Sequence, residues 1–170
     1  MENYSFDINM KLKRVNRLHK IKGDKELNEL GIHVGQSFIL EVIYMKKSCT
    51  QKEIADYLKI STSSITNPIK RLEEKKLIKK QQSKTDLRYN VITLTKEGTL
   101  TIKQMLSTIN EIEQTMIKDF SQEEVNQLND FFNRMIYNLQ PEGSLEELQK
   151  EEYGNMYAES IEVDHDNYNR

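Results

Sequence analysis

The sequence predicts a mostly α-helical fold interrupted by one short β hairpin, on three observations. Apolar residues recur three and four apart through much of the 170-residue chain, the spacing of one buried helix face. Two helical stretches near residues 50 to 74 are separated by only Ile60 and Ser61, so they must turn sharply against each other. Directly after them the period changes to two, over LIKKQQ and RYNVITL, with the polar SKTDL as a turn between them.

Each element has a local cause. The first stripe, Ile8, Leu12, Val15 and Leu18, predicts an N-terminal helix. Thr50-Gln-Lys-Glu53 and Ser121-Gln-Glu-Glu124 are capping boxes, in which a hydroxyl accepts a backbone N–H and the glutamate answers three residues on. The helix opened by Thr50 carries Ile54, Ala55 and Leu58 on one face and stops near Lys59.

The next helix contains a proline. Ile65, Ile69 and Leu72 form one narrow stripe, which predicts that the helix runs through Pro68. The lost hydrogen bond to the Ser64 carbonyl costs ~3 kcal/mol in a rigid helix, while each buried aliphatic side chain returns ~1.5 to 3 kcal/mol. The alternative is a shorter helix capped by Asn67 with Pro68 at its first position, which would waste Ile65. Opposite the apolar stripe lie Ser63, Asn67 and Lys70, flanked by Thr66 and Arg71. Short hydrogen-bonding groups and cations of this kind read base edges and hold phosphates in a major groove.

In the hairpin, Asn90, Ile92 and Leu94 take one side and Tyr89, Val91 and Thr93 the other. Two helices joined by a tight turn and followed at once by a basic hairpin make a winged helix-turn-helix with a two-stranded β wing. Beyond Thr95, two further seams appear: Ile102, Met105, Ile109, Ile112 and Met116, then Val125, Leu128, Phe132, Met135 and Leu139. Seams of this spacing pack against another helix, either within one chain as a hairpin or between two chains.

Charge is distributed unevenly. The net charge of −2 resolves into +3 for residues 1 to 48, +5 for 49 to 98, −3 for 99 to 140 and −7 for 141 to 170. Between Lys70 and Arg88, eight basic residues face three acids, a candidate polyanion site in an otherwise neutral chain. Apolar runs stay well below the ~18 residues that span a bilayer, and MENYSFDINMKLKR lacks the apolar core of a signal peptide. A cytoplasmic protein without membrane contact is expected. The single cysteine, Cys49, excludes an internal disulfide.

From about residue 10 to 140 the chain resembles the MarR family of bacterial transcriptional regulators. The likeness is carried by GIHVGQSFILEVI, TQKEIADYLKISTSSITNPIKRLEEKKLI and DLRYNVITLTKEG. Within the last, Asp86-x-Arg88 followed by Leu94-Thr95-x-x-Gly98 is similar to the family's wing signature. The resemblance implies a homodimer on double-stranded DNA with a pseudo-palindromic operator, most often as a repressor. It divides the chain into an N-terminal dimerisation helix (1–34), a DNA-binding head (35–98) and C-terminal dimerisation helices (99–140); composition adds an acidic tail (141–170).

By that likeness the recognition helix starts at Ser61 and brings Ser61, Ser63, Ser64, Thr66, Asn67, Lys70 and Arg71 to DNA. Lys84, Asp86 and Arg88 belong to the wing, with Arg88 reaching a minor groove and Asp86 orienting it. Kin often bind small lipophilic or phenolic effectors between dimer lobe and head, which here points to His33, Phe38 and Tyr44. Where kin commonly carry glycine to end the recognition helix in a left-handed turn, this chain has Lys76. If that geometry is kept, lysine costs on the order of 1 kcal/mol.

Other chemistries find little footing. His19, His33 and His165 have no close histidine or cysteine partner, so no metal or other cofactor is expected. Walker, HExxH and GxSxG signatures are missing from the sequence, and the expectation is a protein that is not an enzyme. Cys49 reads as an inert thiol. A winged helix can also serve as a protein-docking module without DNA, and the acidic tail could compete with DNA for the basic hairpin; both readings stay open at this point.

Overall fold

The computed structural model describes residues 4–83 and 89–139. In chain order it contains α1 (Tyr4–Glu29), α2 (Val34–Lys46), α3 (Gln51–Tyr57), α4 (Thr62–Glu74), β1 (Ile78–Gln82), β2 (Asn90–Leu94), α5 (Lys96–Met116) and α6 (Gln122–Leu139). The expected winged helix-turn-helix is present, with α3 and α4 as its two helices and β1–β2 as its wing.

Both capping boxes form. Thr50 Oγ1 accepts the Glu53 N–H at 3.2 Å while Glu53 Oε2 accepts the Thr50 N–H at 2.7 Å. Ser121 and Glu124 repeat the exchange at 3.2 and 2.8 Å. The helix of residues 62–74 runs through Pro68, and Ile65, Ile69 and Leu72 beneath it are fully buried. The shorter helix capped by Asn67 is not adopted, because it would forfeit the burial of Ile65.

Three helices end in the same left-handed turn. After α4, the Lys76 N–H donates to the Glu73 carbonyl at 2.9 Å and the Leu77 N–H to the Leu72 carbonyl at 3.0 Å, the Schellman pattern. Lys76 holds φ 59°, so the geometry is kept despite the missing glycine. After α3, Lys59 (φ 55°) does the same, with Ile60 donating to the Ala55 carbonyl at 3.0 Å. After α1 the position is filled by Gly31 (φ 68°), with Ile32 donating to the Leu27 carbonyl at 2.9 Å.

The core centres on α2, whose Ile39, Leu40, Val42 and Ile43 are almost wholly inaccessible. Ile54, Leu58, Ile65, Ile69 and Leu72 of the helix-turn-helix close over it, with Ile92 from the wing and Ile102 and Met105 from α5. β1 and β2 pair antiparallel with Lys80 opposite Ile92. On its other edge Ile92 exchanges two backbone hydrogen bonds with Cys49, at 2.7 and 3.2 Å, which anchors the wing to the turn before α3.

The joint between α4, the wing and α5 is tight. Thr95 Oγ1 caps α5 by accepting the Gly98 N–H at 3.0 Å and donates to the Lys76 carbonyl at 2.7 Å. A Cβ at position 98 would sit 1.9 Å from the Leu77 carbonyl oxygen. Glycine is required there for close approach of two backbones, not for its dihedral freedom.

The remaining seams are only partly covered. In α5, Ile102, Met105 and Ile112 are buried but Met116 is 52% exposed. α6 buries none of its residues, so α5 and α6 do not close on each other as a buried hairpin. The N-terminal stripe of Ile8, Leu12, Val15 and Leu18 is likewise exposed, and Leu27 is the one buried residue of α1.

Candidate nucleic-acid interface

The outward face of α4 is built by its own first turn. Ser61 is the N-cap: its Oγ accepts the Ser64 N–H at 3.2 Å and lies 2.8 and 2.7 Å from the hydroxyls of Ser63 and Ser64. The helix start thus presents a small cluster of hydroxyls at the positive end of the helix dipole, a polarity that favours anions. Thr66 Oγ1 donates to the Thr62 carbonyl at 3.0 Å. From α3, Gln51 Nε2 donates to that hydroxyl at 2.8 Å and to the Thr62 carbonyl at 3.1 Å.

These bonds sort the sequence-predicted residues. Ser61, Ser63, Ser64, Thr66, Asn67, Lys70 and Arg71 are all exposed; Ser63, Asn67 and Lys70 lie opposite the buried Ile65–Ile69–Leu72 stripe, with Ser64, Thr66 and Arg71 on its flanks and Ser61 at the N-cap. Ser61 and Thr66 use their hydroxyls to shape the helix start, whereas Asn67 projects from the middle of the outward face. Lys70 sits 3.9 Å from Glu74, a loose pair that a phosphate could displace at little cost. Gln51 was not legible as part of this group, because its partners lie eleven and fifteen residues away.

The wing is joined to the same face. Lys80 of β1 pairs with Glu73 of α4 at 3.2 Å, and the Ser83 N–H donates to the Tyr89 carbonyl at 2.9 Å, extending the ladder toward its tip. Lys84, Asp86 and Arg88 lie outside the described residues, as does the acidic tail.

A profile of the MarR family matches residues 30–88. The HTH-type transcriptional regulator YwhA of Bacillus subtilis, itself described as uncharacterized, is 31% identical over 108 residues, which cover 61% of this chain and 78% of that protein. The chain belongs to the MarR family. Among solved structures, the F27L mutant of Staphylococcus aureus MepR bound to an oligodeoxyribonucleotide is 30% identical, with a TM-score of 0.63, and the match covers 82% of this chain and 100% of that one. YusO from Bacillus subtilis shares the fold with a TM-score of 0.73 at 22% identity, over 80% of this chain and 96% of its own.

The three residues expected near an effector lie before and along α2. His33 precedes α2, Phe38 is buried in it and Tyr44 is half-buried near its end. Phe38 and Tyr44 are six positions apart in the helix, which turns them about 120° from each other. Between them, three residues from each, stands Glu41, which sequence reasoning passed over. Burial pushes its carboxyl from 4.5 up to about 7. Lys47 lies over the Tyr44 ring at 4.5 Å and Lys46 over the Tyr57 ring at 5.6 Å, within cation–π range.

Cys49 is 2% exposed, and burial together with the nearby Glu53 carboxylate pushes its thiol up to about 11. A thiol held this far from ionisation is a poor nucleophile. Among the described residues no three His, Cys, Asp or Glu side chains converge as a metal site, and no described helix is long and apolar enough to cross a membrane.

Proposed function

We propose that this MarR-family chain is a transcriptional regulator that binds a pseudo-palindromic DNA operator as a homodimer, in the repressing sense. The observation that carries the reading is the outward face of α4: hydroxyls, one amide and two cations over a fully buried apolar stripe. That arrangement gives a rigid helix whose polar side can enter a major groove while the wing lies along the backbone. The DNA-bound structure of the related MepR supports it.

The dimer would form through α1, α6 and the C-terminal end of α5: the stripes of α1 and α6 and Met116 of α5 are left uncovered by the single chain. A small lipophilic or phenolic effector near His33, Phe38 and Tyr44 would shift the population toward a spacing of the two heads that no longer fits successive major grooves, ~34 Å apart. Lys84, Asp86 and Arg88 would carry the wing's contact.

Capture of genomic fragments by the purified protein followed by footprinting tests the proposal. Two protected half-sites about one helical turn apart are expected. Asn67→Ala should weaken binding to the captured sequence by about 1 to 3 kcal/mol without changing the salt slope. Indifference to duplexes of every sequence in dilute buffer overturns the reading.

A further inference from the structure

The last turn of α4 is held by an arrangement that the DNA-facing residues do not explain. Lys75, at the C-cap, turns its ammonium away from the outward face. Nζ donates to the Gly31 carbonyl and, at 3.3 Å, to Gln36 Oε1. Gly31 is the left-handed residue that ends α1, and Gln36 stands in the first turn of α2, where the same Oε1 accepts the His33 N–H at 3.4 Å. Gln36 is 3% exposed, so the oxygen that receives the lysine is fixed by packing. One cation thereby ties the end of α4 to the corner between α1 and α2.

The two residues that follow are pinned from the opposite direction. Thr95 Oγ1 donates to the Lys76 carbonyl at 2.7 Å, and the Gly98 backbone packs against the Leu77 carbonyl too closely for any side chain. Residues 75 to 77 therefore sit between the α1–α2 corner and the start of α5. Those are the helices that leave the DNA-binding head.

We propose that Lys75 is a positioning residue, a strut that sets the angle of α4 against the α1–α2 corner and passes movement of α1 to the recognition helix. The proposal rests on the DNA-reading role given to α4 above. A hydrogen-bonded ammonium suits the task because it joins two separate elements through one flexible stem and prefers a helix C-terminus. It can let go without leaving a fully buried charge, since Lys75 is exposed. A cavity-filling apolar contact could not be broken so cheaply.

The test uses Lys75→Met, which keeps the length of the side chain, and Lys75→Arg, which restores a cationic donor. Two readouts keep the strut and the DNA role apart. The first is hydrogen exchange without DNA: Lys75→Met should raise exchange together at the end of α4 and across residues 31 to 36, with the fold otherwise protected. Unchanged exchange in the α1–α2 corner overturns the strut, whether or not the protein binds DNA.

The second compares a duplex selected from a randomised pool by the wild-type protein with an unrelated duplex of equal length. Lys75→Met should lower the preference between them by about five- to tenfold, the scale of a partly exposed charge-assisted hydrogen bond. Lys75→Arg should recover part of that loss. Equal weakening on both duplexes, with the salt slope reduced by about 1, would make Lys75 a phosphate contact and overturn the proposal. Failure of the wild-type protein to select any duplex would instead overturn the DNA reading while the exchange result still judged the strut.

Discussion

Gln51 of α3 donates its side-chain N–H to the Thr66 hydroxyl of α4 at 2.8 Å, and to the Thr62 carbonyl at 3.1 Å. The bond crosses the helix-turn-helix at its mouth and fixes the start of α4 where its hydroxyls face outward. Both groups are exposed, so water competes with the bond and its net worth is modest.

Gln51→Ala should therefore destabilise the fold by only ~0.5 to 1 kcal/mol, measured by urea unfolding. Thr66→Val should cost a similar amount, and the double variant should cost less than the two together by roughly 0.5 kcal/mol, as expected for partners in contact. Strict additivity would show that the crossing bond contributes nothing in solution.

Lys76 occupies a left-handed turn at φ 59° with both Schellman hydrogen bonds made. Lys76→Gly removes the clash of Cβ with the backbone, and should stabilise the protein by ~0.5 to 1 kcal/mol after the added freedom of the unfolded chain is subtracted. A raised thermal midpoint checks it. A lowered midpoint would mean that the lysine stem contributes packing that outweighs its strain.

Glu41 makes stability depend on pH. Its carboxyl is raised to about 7 in the folded protein, against ~4.3 in an unfolded chain. The folded state then holds the proton more tightly, so stability is greatest below the unfolded value, falls as pH rises through the interval, and levels off above about 7. With allowance for the side chain's partial exposure, the loss is on the order of 2 kcal/mol. Glu41→Gln should flatten this slope and raise the thermal midpoint at pH 8 more than at pH 5. A parallel pH profile for the two proteins would assign the slope to other groups.

The reading of α4 from sequence succeeded because its causes are local and periodic. Ile65, Ile69 and Leu72 define the buried stripe, and no alternative start to the helix buries all three. The proline did not end the helix because its lesion is smaller than the burial it interrupts. Cys49 was legible as inert, but that it also forms a backbone bridge with Ile92 was not. A β-bridge leaves no periodic trace in two residues. For Phe38 and Tyr44 the family resemblance pointed to a shared pocket; the turn of α2 between them sets them on different sides of Glu41.

By itself the sequence determined the helix-turn-helix and the hairpin after it, the basic stretch that contains them, the buried Ile65–Ile69–Leu72 stripe and both capping boxes, since each depends on neighbours within about one or two helical turns. The central helix α2 and the exposure of the α1 and α6 stripes were not read from it. Only the folded chain decided that Gln51 holds Thr66, that burial raises the Glu41 carboxyl and that Lys75 reaches Gly31, forty-four residues away. The physical reason is one of range. Helix periodicity and capping act along the chain, whereas desolvation and hydrogen bonds between elements exist only once packing has brought distant segments together.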